Sequence, residues 1–243
     1  MDIEQMNIVD HLSELRKRIF ITLGTFLFAF SISFIYVKEI YYFLVKDLDG
    51  KLALLGPGDI IWIYMMISGV VAIAITIPVA AFETWKFVKP ALSKEEQKIT
   101  LPYIPGLFFL FIAGIAFGYF ILFPLVLSFL SNLSDGLFET FFTAEKYFSF
   151  MLNIVLPFGF LFEMPAVVMF LTRIGVINPY KLGKMRKFAY FLLIIISVLI
   201  TPPDFLSDVL VIIPLLLLYE VSILLSKIVY RKQLASDSSV TAN

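Results

Sequence analysis

From Ile99 to Ser134 the chain carries no charged side chain, and five more long apolar runs recur along it. A single water-soluble core cannot bury so many such runs. A bilayer can: its hydrocarbon layer, about 30 Å thick, takes a helix of about 20 apolar residues. Inside that layer every backbone N–H and C=O must be paired within the protein, so each run is read as a helix. The expected spans are about 19–37, 60–82, 101–128, 148–172, 188–202 and 205–226. The predicted fold class is therefore all-α, a polytopic membrane protein with six transmembrane helices in a single domain over residues 1–234. The polar, Ser-rich residues 235–243 are expected to form a disordered tail. Composition agrees, with 60% hydrophobic residues against roughly 45–50% in a soluble domain.

Charge placement sets an orientation. Segments alternating from the amino terminus hold fifteen Lys and Arg, against four on the segments between them. The positive-inside rule then puts both termini in the cytoplasm. Trp62 and Trp85 flank the second span, as interfacial anchors do. Prolines shape the spans: Pro78 is expected to break the second one late, and Pro157 and Pro165 to bend the fourth. Bent helices of this kind suit a concave cup, a receptor rather than a pore.

The last two spans are short. Only 16 uncharged residues separate Lys187 from Asp204, and at ~1.5 Å per residue they reach ~24 Å. Two readings stay open: a plain helical hairpin, or a pair around which the bilayer thins.

The chain has no cysteine, which excludes disulfides, thiolate zinc sites and cysteine nucleophiles. Its single histidine, His11, cannot build a histidine metal cage or a Ser-His-Asp triad. No span offers paired catalytic groups at one depth. The chain is accordingly expected not to be an enzyme and to need no cofactor or metal.

Three groups of residues could carry function. In His11-Leu12-Ser13-Glu14-Leu15-Arg16-Lys17-Arg18, Glu14 and Arg18 are i, i+4 partners. The cluster reads either as a charge-anchored helix start or as part of a cytoplasmic site. In Trp85–Glu96, Ser93 and Glu96 fit a capping box; the second reading joins Glu96 and Phe87 to Glu14 on one cytoplasmic surface. Two carboxylates beside apolar surface suit paired guanidinium groups, whose bidentate geometry Lys does not reproduce. The third group is the intramembrane pair Glu163 and Glu220. Glu163 is the one charge between Tyr147 and Thr172, and a carboxylate at such depth is costly and functional by default. No Lys or Arg is expected at matching depth within a span. Glu163 would then face another polar group, a watery hollow, or the membrane as a neutral acid, and a proton-coupled secondary transporter is the alternative function it suggests.

Five segments together resemble the TatC family, the multispanning receptor subunit of the twin-arginine protein translocase. They are His11–Arg16; Phe87-Val88-Lys89-Pro90-Ala91-Leu92 with Glu96; Phe158–Pro165; Thr201-Pro202-Pro203-Asp204; and Ile213-Pro214-Leu215 with Tyr219-Glu220. Residues 47–52 also look like those of Gram-positive TatA–TatC systems. The resemblance implies recognition of signal peptides with consecutive arginines on folded cargo, at a site formed by Glu14, Glu96, Phe87, Leu12 and Arg16. It implies an intramembrane polar site at Glu163 and docking of a single-span TatA-like partner at Pro202, Asp204, Asp208 and Glu220. It further implies a place in the cytoplasmic (plasma) membrane, assembly as a homo-oligomer within the translocase, no nucleic acid, and export driven by the proton-motive force. Two positions depart from the family pattern: Lys46-Asp47-Leu48 stands where a proline is frequent, and Asp208 where an amide is common.

Overall fold

The computed structural model describes residues 8–46, 48, 52–92, 94–134, 142–201 and 205–240, without the side chains of 8–10, 91, 95, 96, 99, 134 and 233–240. Among these residues there is no strand. The one β-type pairing is an isolated parallel bridge between Ala53 and Thr143. The chain forms two compact units, residues 1–51 with 56–108, and residues 52–55 with 109–243.

In the first unit, α1 (Ile8–Ile35) is a single helix from the basic cluster into the first apolar run, and α2 (Val37–Val45) follows after Tyr36. α3 (Asp59–Val88) packs along α1. Its buried positions Ala72, Thr76 and Glu83 share one face at helical spacing, and Ile63 and Ile67 are buried on another. Pro78 does not break α3, contrary to the expectation from sequence. Only one helix bond is lost there, the one to the Ala74 carbonyl, and membrane helices tolerate such a loss; Thr76 Oγ1 donates to a different carbonyl, that of Ala72, at 2.7 Å. The helix stops instead at the 3-10 turn Lys89–Ala91, where Pro90 enters. The short α4 (Lys94–Thr100) is tied back to α3 by Trp85 Nε1, which donates to Thr100 Oγ1 at 2.9 Å.

α5 (Tyr103–Phe117) leads into a π turn at Gly118–Leu122 and then α6 (Phe123–Ser134). Pro124 has no N–H for the Phe120 carbonyl, and the preceding turn widens, with the Phe123 N–H bonded to the Gly118 carbonyl. In the second unit α7 (Ala144–Leu161) packs against this turn. The approach is close: a Cβ added to Gly118 would lie 2.9 Å from Val155 Cα, and one added to Gly159 2.7 Å from Phe111 Cε2. Small residues that let backbones meet are the usual glue between membrane helices.

The fourth apolar run is cut in two, as its prolines predict. α7 ends at Leu161, and α8 (Met164–Arg173) begins after Phe162-Glu163, with Pro165 in its first turn. α9 (Pro179–Lys184), capped by Asn178 Oδ1 accepting from the Tyr180 N–H at 2.9 Å, leads to α10 (Arg186–Ile200) and α11 (Phe205–Val240). α11 thus includes residues 235–240. α8 and α11 pack together, and Thr172 Oγ1 and Ser226 Oγ share a buried hydrogen bond of 2.6 Å.

Among the described residues, five helical stretches are long and apolar enough to cross a membrane: His11–Ile35, Asp59–Val88, Tyr103–Leu133, Ala144–Arg173 and Phe205–Lys232. The protein is a multi-pass membrane protein by this measure. α10 has 15 residues, a length of ~22 Å at 1.5 Å per residue.

Candidate functional site

The charged cluster of the first unit is built on two helices. α1 is helical through its basic start, so Glu14 and Arg18 fall on one face, and Arg18 Nη2 donates to Glu14 Oε1 at 2.7 Å. Because α3 runs past the end of its apolar stretch, Glu83 lies inside a helix and is only 4% exposed. Arg18 Nη1 donates to Glu83 Oε2 at 2.9 Å, and Lys86 Nζ to Glu83 Oε1 at 2.9 Å. One arginine therefore bridges two carboxylates, one buried and one partly open. Its Nε–H is buried without an acceptor.

Aromatic and apolar groups surround this network. His11 stacks on Phe87 with ring centroids 4.2 Å apart. Lys86 lies 4.2 Å from the Phe82 ring centroid, a cation–π distance. A cavity of about 470 Å³ opens beside the network; Leu15, Ile19, Phe26, Ala80 and Phe87 give it apolar walls, and Arg18 and Glu83 also border it. Leu12 is 59% exposed and Arg16 is also exposed, so neither is drawn into the network. Glu96 is in α4, but its side chain and all of Ser93 lie outside the described residues. The capping box and the approach of Glu96 to Glu14 thus fall outside them too.

Glu83 was missed by reading the sequence because it was assigned to the loop after Phe82. The signal was there: Glu83 and Lys86 are i, i+3, and the run to Val88 contains no helix breaker.

Glu163 occupies the break between α7 and α8, half-buried, and its Oε1 has no hydrogen-bond partner. Phe117 packs on both Phe158 and Phe162, with centroids 5.8 and 5.4 Å away, so an aromatic cluster stands over the break.

The second intramembrane carboxylate differs from expectation. Arg186, at the start of α10, meets Glu220 in a two-pronged pair: Nε donates to Oε1 at 2.7 Å and Nη2 to Oε2 at 2.8 Å. Tyr190 Oη adds a 2.6 Å bond to Oε1. The expectation that no basic residue matches these carboxylates in depth is thus corrected for Glu220. Arg186 was counted as loop, yet it opens α10 and its side chain reaches Glu220 in α11. At the other end of α10, Thr201 Oγ1 donates to Asp208 in α11. Pro202 and Asp204 lie outside the described residues. Among the described residues no cluster of His, Asp or Glu could hold a metal ion.

Comparison with known proteins converges on one group. A family model described as Sec-independent protein translocase protein (TatC) matches residues 10–214. Sec-independent protein translocase protein TatCd of Bacillus subtilis (strain 168) is 60% identical over 242 residues, 100% of each chain. TatCy of the same organism is 41% identical, over 98% of this chain and 96% of its own. A solved structure, "Crystal Structure of Twin Arginine Translocase Receptor- TatC", superposes with a TM-score of 0.79 at 37% identity, covering 90% of this chain and 99% of that one.

Proposed function

The chain belongs to the TatC family of Sec-independent protein translocase proteins, and from that membership we propose that it is the receptor and core subunit of a twin-arginine translocase. It binds signal peptides with consecutive arginines on folded proteins. It recruits a single-span TatA-like partner to export them across the cytoplasmic membrane at the expense of the proton-motive force. α10 is the sixth span, both termini are cytoplasmic, and several copies work together in the assembled translocase.

In this reading Glu14 and Glu96 hold the two arginines, and Phe87, Leu12 and Arg16 border them. Pro202, Asp204, Asp208 and Glu220 belong to the partner-docking end pair, and Glu163 offers a polar group within the membrane. Lipid surrounds the short α10, whose ~22 Å falls below the ~30 Å hydrocarbon layer. That mismatch favours local thinning of the bilayer as part of the transport step.

The observation that carries the arginine site is the guanidinium already seated on Glu14 at 2.7 Å, beside a buried second carboxylate. Such a surface suits guanidinium forks over ammonium groups. The test is binding of the purified protein to an Arg-Arg signal peptide and to its Lys-Lys counterpart, repeated with Glu14→Ala and Glu96→Ala. Tight binding that is lost with Lys-Lys and in either variant is expected. Equal binding in all combinations would overturn the arginine site.

A further inference from the structure

The carboxylate that the receptor reading offers to a guest arginine already has an arginine on it. Arg18 spends Nη2 on Glu14 and Nη1 on Glu83, while its buried Nε–H has no acceptor. Glu83 is almost fully buried, and Glu14 is the more open of the two, at 5% and 23% side-chain exposure. We propose that Arg18 is a resident competitor for the guanidinium site at Glu14, and that Glu83 is the second seat which receives it when a guest arginine arrives.

The geometry supplies each requirement of that exchange. Arg18 is already in contact with Glu83 before the guest comes, so leaving Glu14 does not strip it of a carboxylate. Re-seating on Glu83 through its Nε–Nη2 edge in place of Nη1 gives the buried Nε–H an acceptor, which offsets the bond given up on Glu14; a buried donor left unmade is costly. The cavity of about 470 Å³ bordered by Arg18 and Glu83 provides room for the turn. Lys86 on Glu83 Oε1 keeps that carboxylate balanced throughout. The swap also conserves charge at Glu14: one guanidinium leaves as another enters, so no bare carboxylate is desolvated.

A resident arginine also sets the selectivity. A guest must outcompete one Arg18 hydrogen bond. A guanidinium can place two parallel bonds on Glu14, whereas an ammonium is a point charge without that fork. Arg18 thus raises the threshold most for lysine-bearing peptides, and Glu83 keeps the threshold low enough for arginine. This inference rests on Glu14 being a signal-peptide carboxylate.

The test measures affinity of the detergent-purified full chain for Arg-Arg and Lys-Lys signal peptides. Arg18→Gln is expected to tighten Lys-Lys binding more than Arg-Arg binding, narrowing the discrimination about tenfold, the scale of one hydrogen bond to a charged group. Glu83→Gln leaves Arg18 wholly on Glu14 and is expected to weaken Arg-Arg binding by a similar factor. Arg18→Gln with Glu83→Gln recovers it and leaves no unmatched arginine. Arg18→Lys retains a cation between the carboxylates, guards against loss of fold, and is expected to fall between wild type and Arg18→Gln. Discrimination unchanged in Arg18→Gln and Arg18→Lys, while Glu14→Gln still abolishes it, would overturn the proposal and leave the receptor reading standing. Discrimination that survives Glu14→Gln would overturn both.

Discussion

Gly118 and Gly69 make a matched pair on which the packing argument can be judged. Both are helical, but a Cβ at Gly69 in α3 meets nothing within 4 Å, whereas one at Gly118 lies 2.9 Å from Val155 Cα and 3.4 Å from the Val155 carbonyl. Replacing glycine by alanine in a helix gains ~0.8–1 kcal/mol from propensity at either place. At Gly118 the obstacle is backbone, which no rotamer change can move. The π turn and α7 must separate, and overpacking of this kind costs ~1–3 kcal/mol. Gly69→Ala is therefore expected to stabilise. Gly118→Ala is expected to be neutral to destabilising by about 2 kcal/mol once the propensity gain is subtracted. The difference between the variants, ~1–3 kcal/mol, is independent of the propensity scale because that gain cancels. For a chain of this size each kcal/mol moves Tm by ~2–4 °C, so their midpoints should differ by ~2–12 °C. Thermal unfolding in one detergent, wild type and both variants side by side, is the assay. Gly118→Ala matching Gly69→Ala would refute the claim that α7 crosses the π turn by backbone contact.

Two further outcomes follow from the second unit. Ser226→Ala deletes the buried hydroxyl bond between α8 and α11 and should cost about 0.6 kcal/mol, at most about 1.7, in unfolding by SDS titration; no loss would mean that the Thr172 hydroxyl, which already donates to the Val168 carbonyl, gains nothing from the Ser226 donor. Glu163→Gln keeps the side-chain volume and makes it permanently neutral, and Oε1 has no donor to lose. Its unfolding midpoint should match or exceed wild type, and a marked drop would reveal a folded-state partner for the carboxylate.

Much of the fold was legible because the bilayer demands long apolar helices and prolines interrupt them in few ways. The bend in the fourth run was readable from Pro165, although Pro157 leaves α7 unbroken, and the Glu14–Arg18 pair was readable from helical spacing. What was not legible depended on helix ends. Hydropathy stops at Phe82, but the hydrogen-bonded helix runs to Val88, which carries Glu83 into a buried position facing α1. Arg186 and Glu220 are 34 residues apart in sequence, and no local periodicity links them; only the packing of α10 on α11 does. Pro78 misled for another reason, because one missing bond does not by itself end a long membrane helix.

The cut at Phe162-Glu163 has a mechanical meaning. α7 is committed to α5 and the π turn through close glycine contacts and the Phe117–Phe158 ring contact, and α8 is committed to α11 through its packing and the Thr172–Ser226 bond. A continuous rod would force those allegiances to move together. Here Pro165 supplies no N–H to the Leu161 carbonyl, so flexing at this point strains a turn that is already short of a bond instead of breaking a full ladder. The two halves form a joint, in which a pull on α11 carries α8 and need not drag α7. The carboxyl group that sits at the pivot, Glu163, is the side chain whose surroundings such a movement would change first.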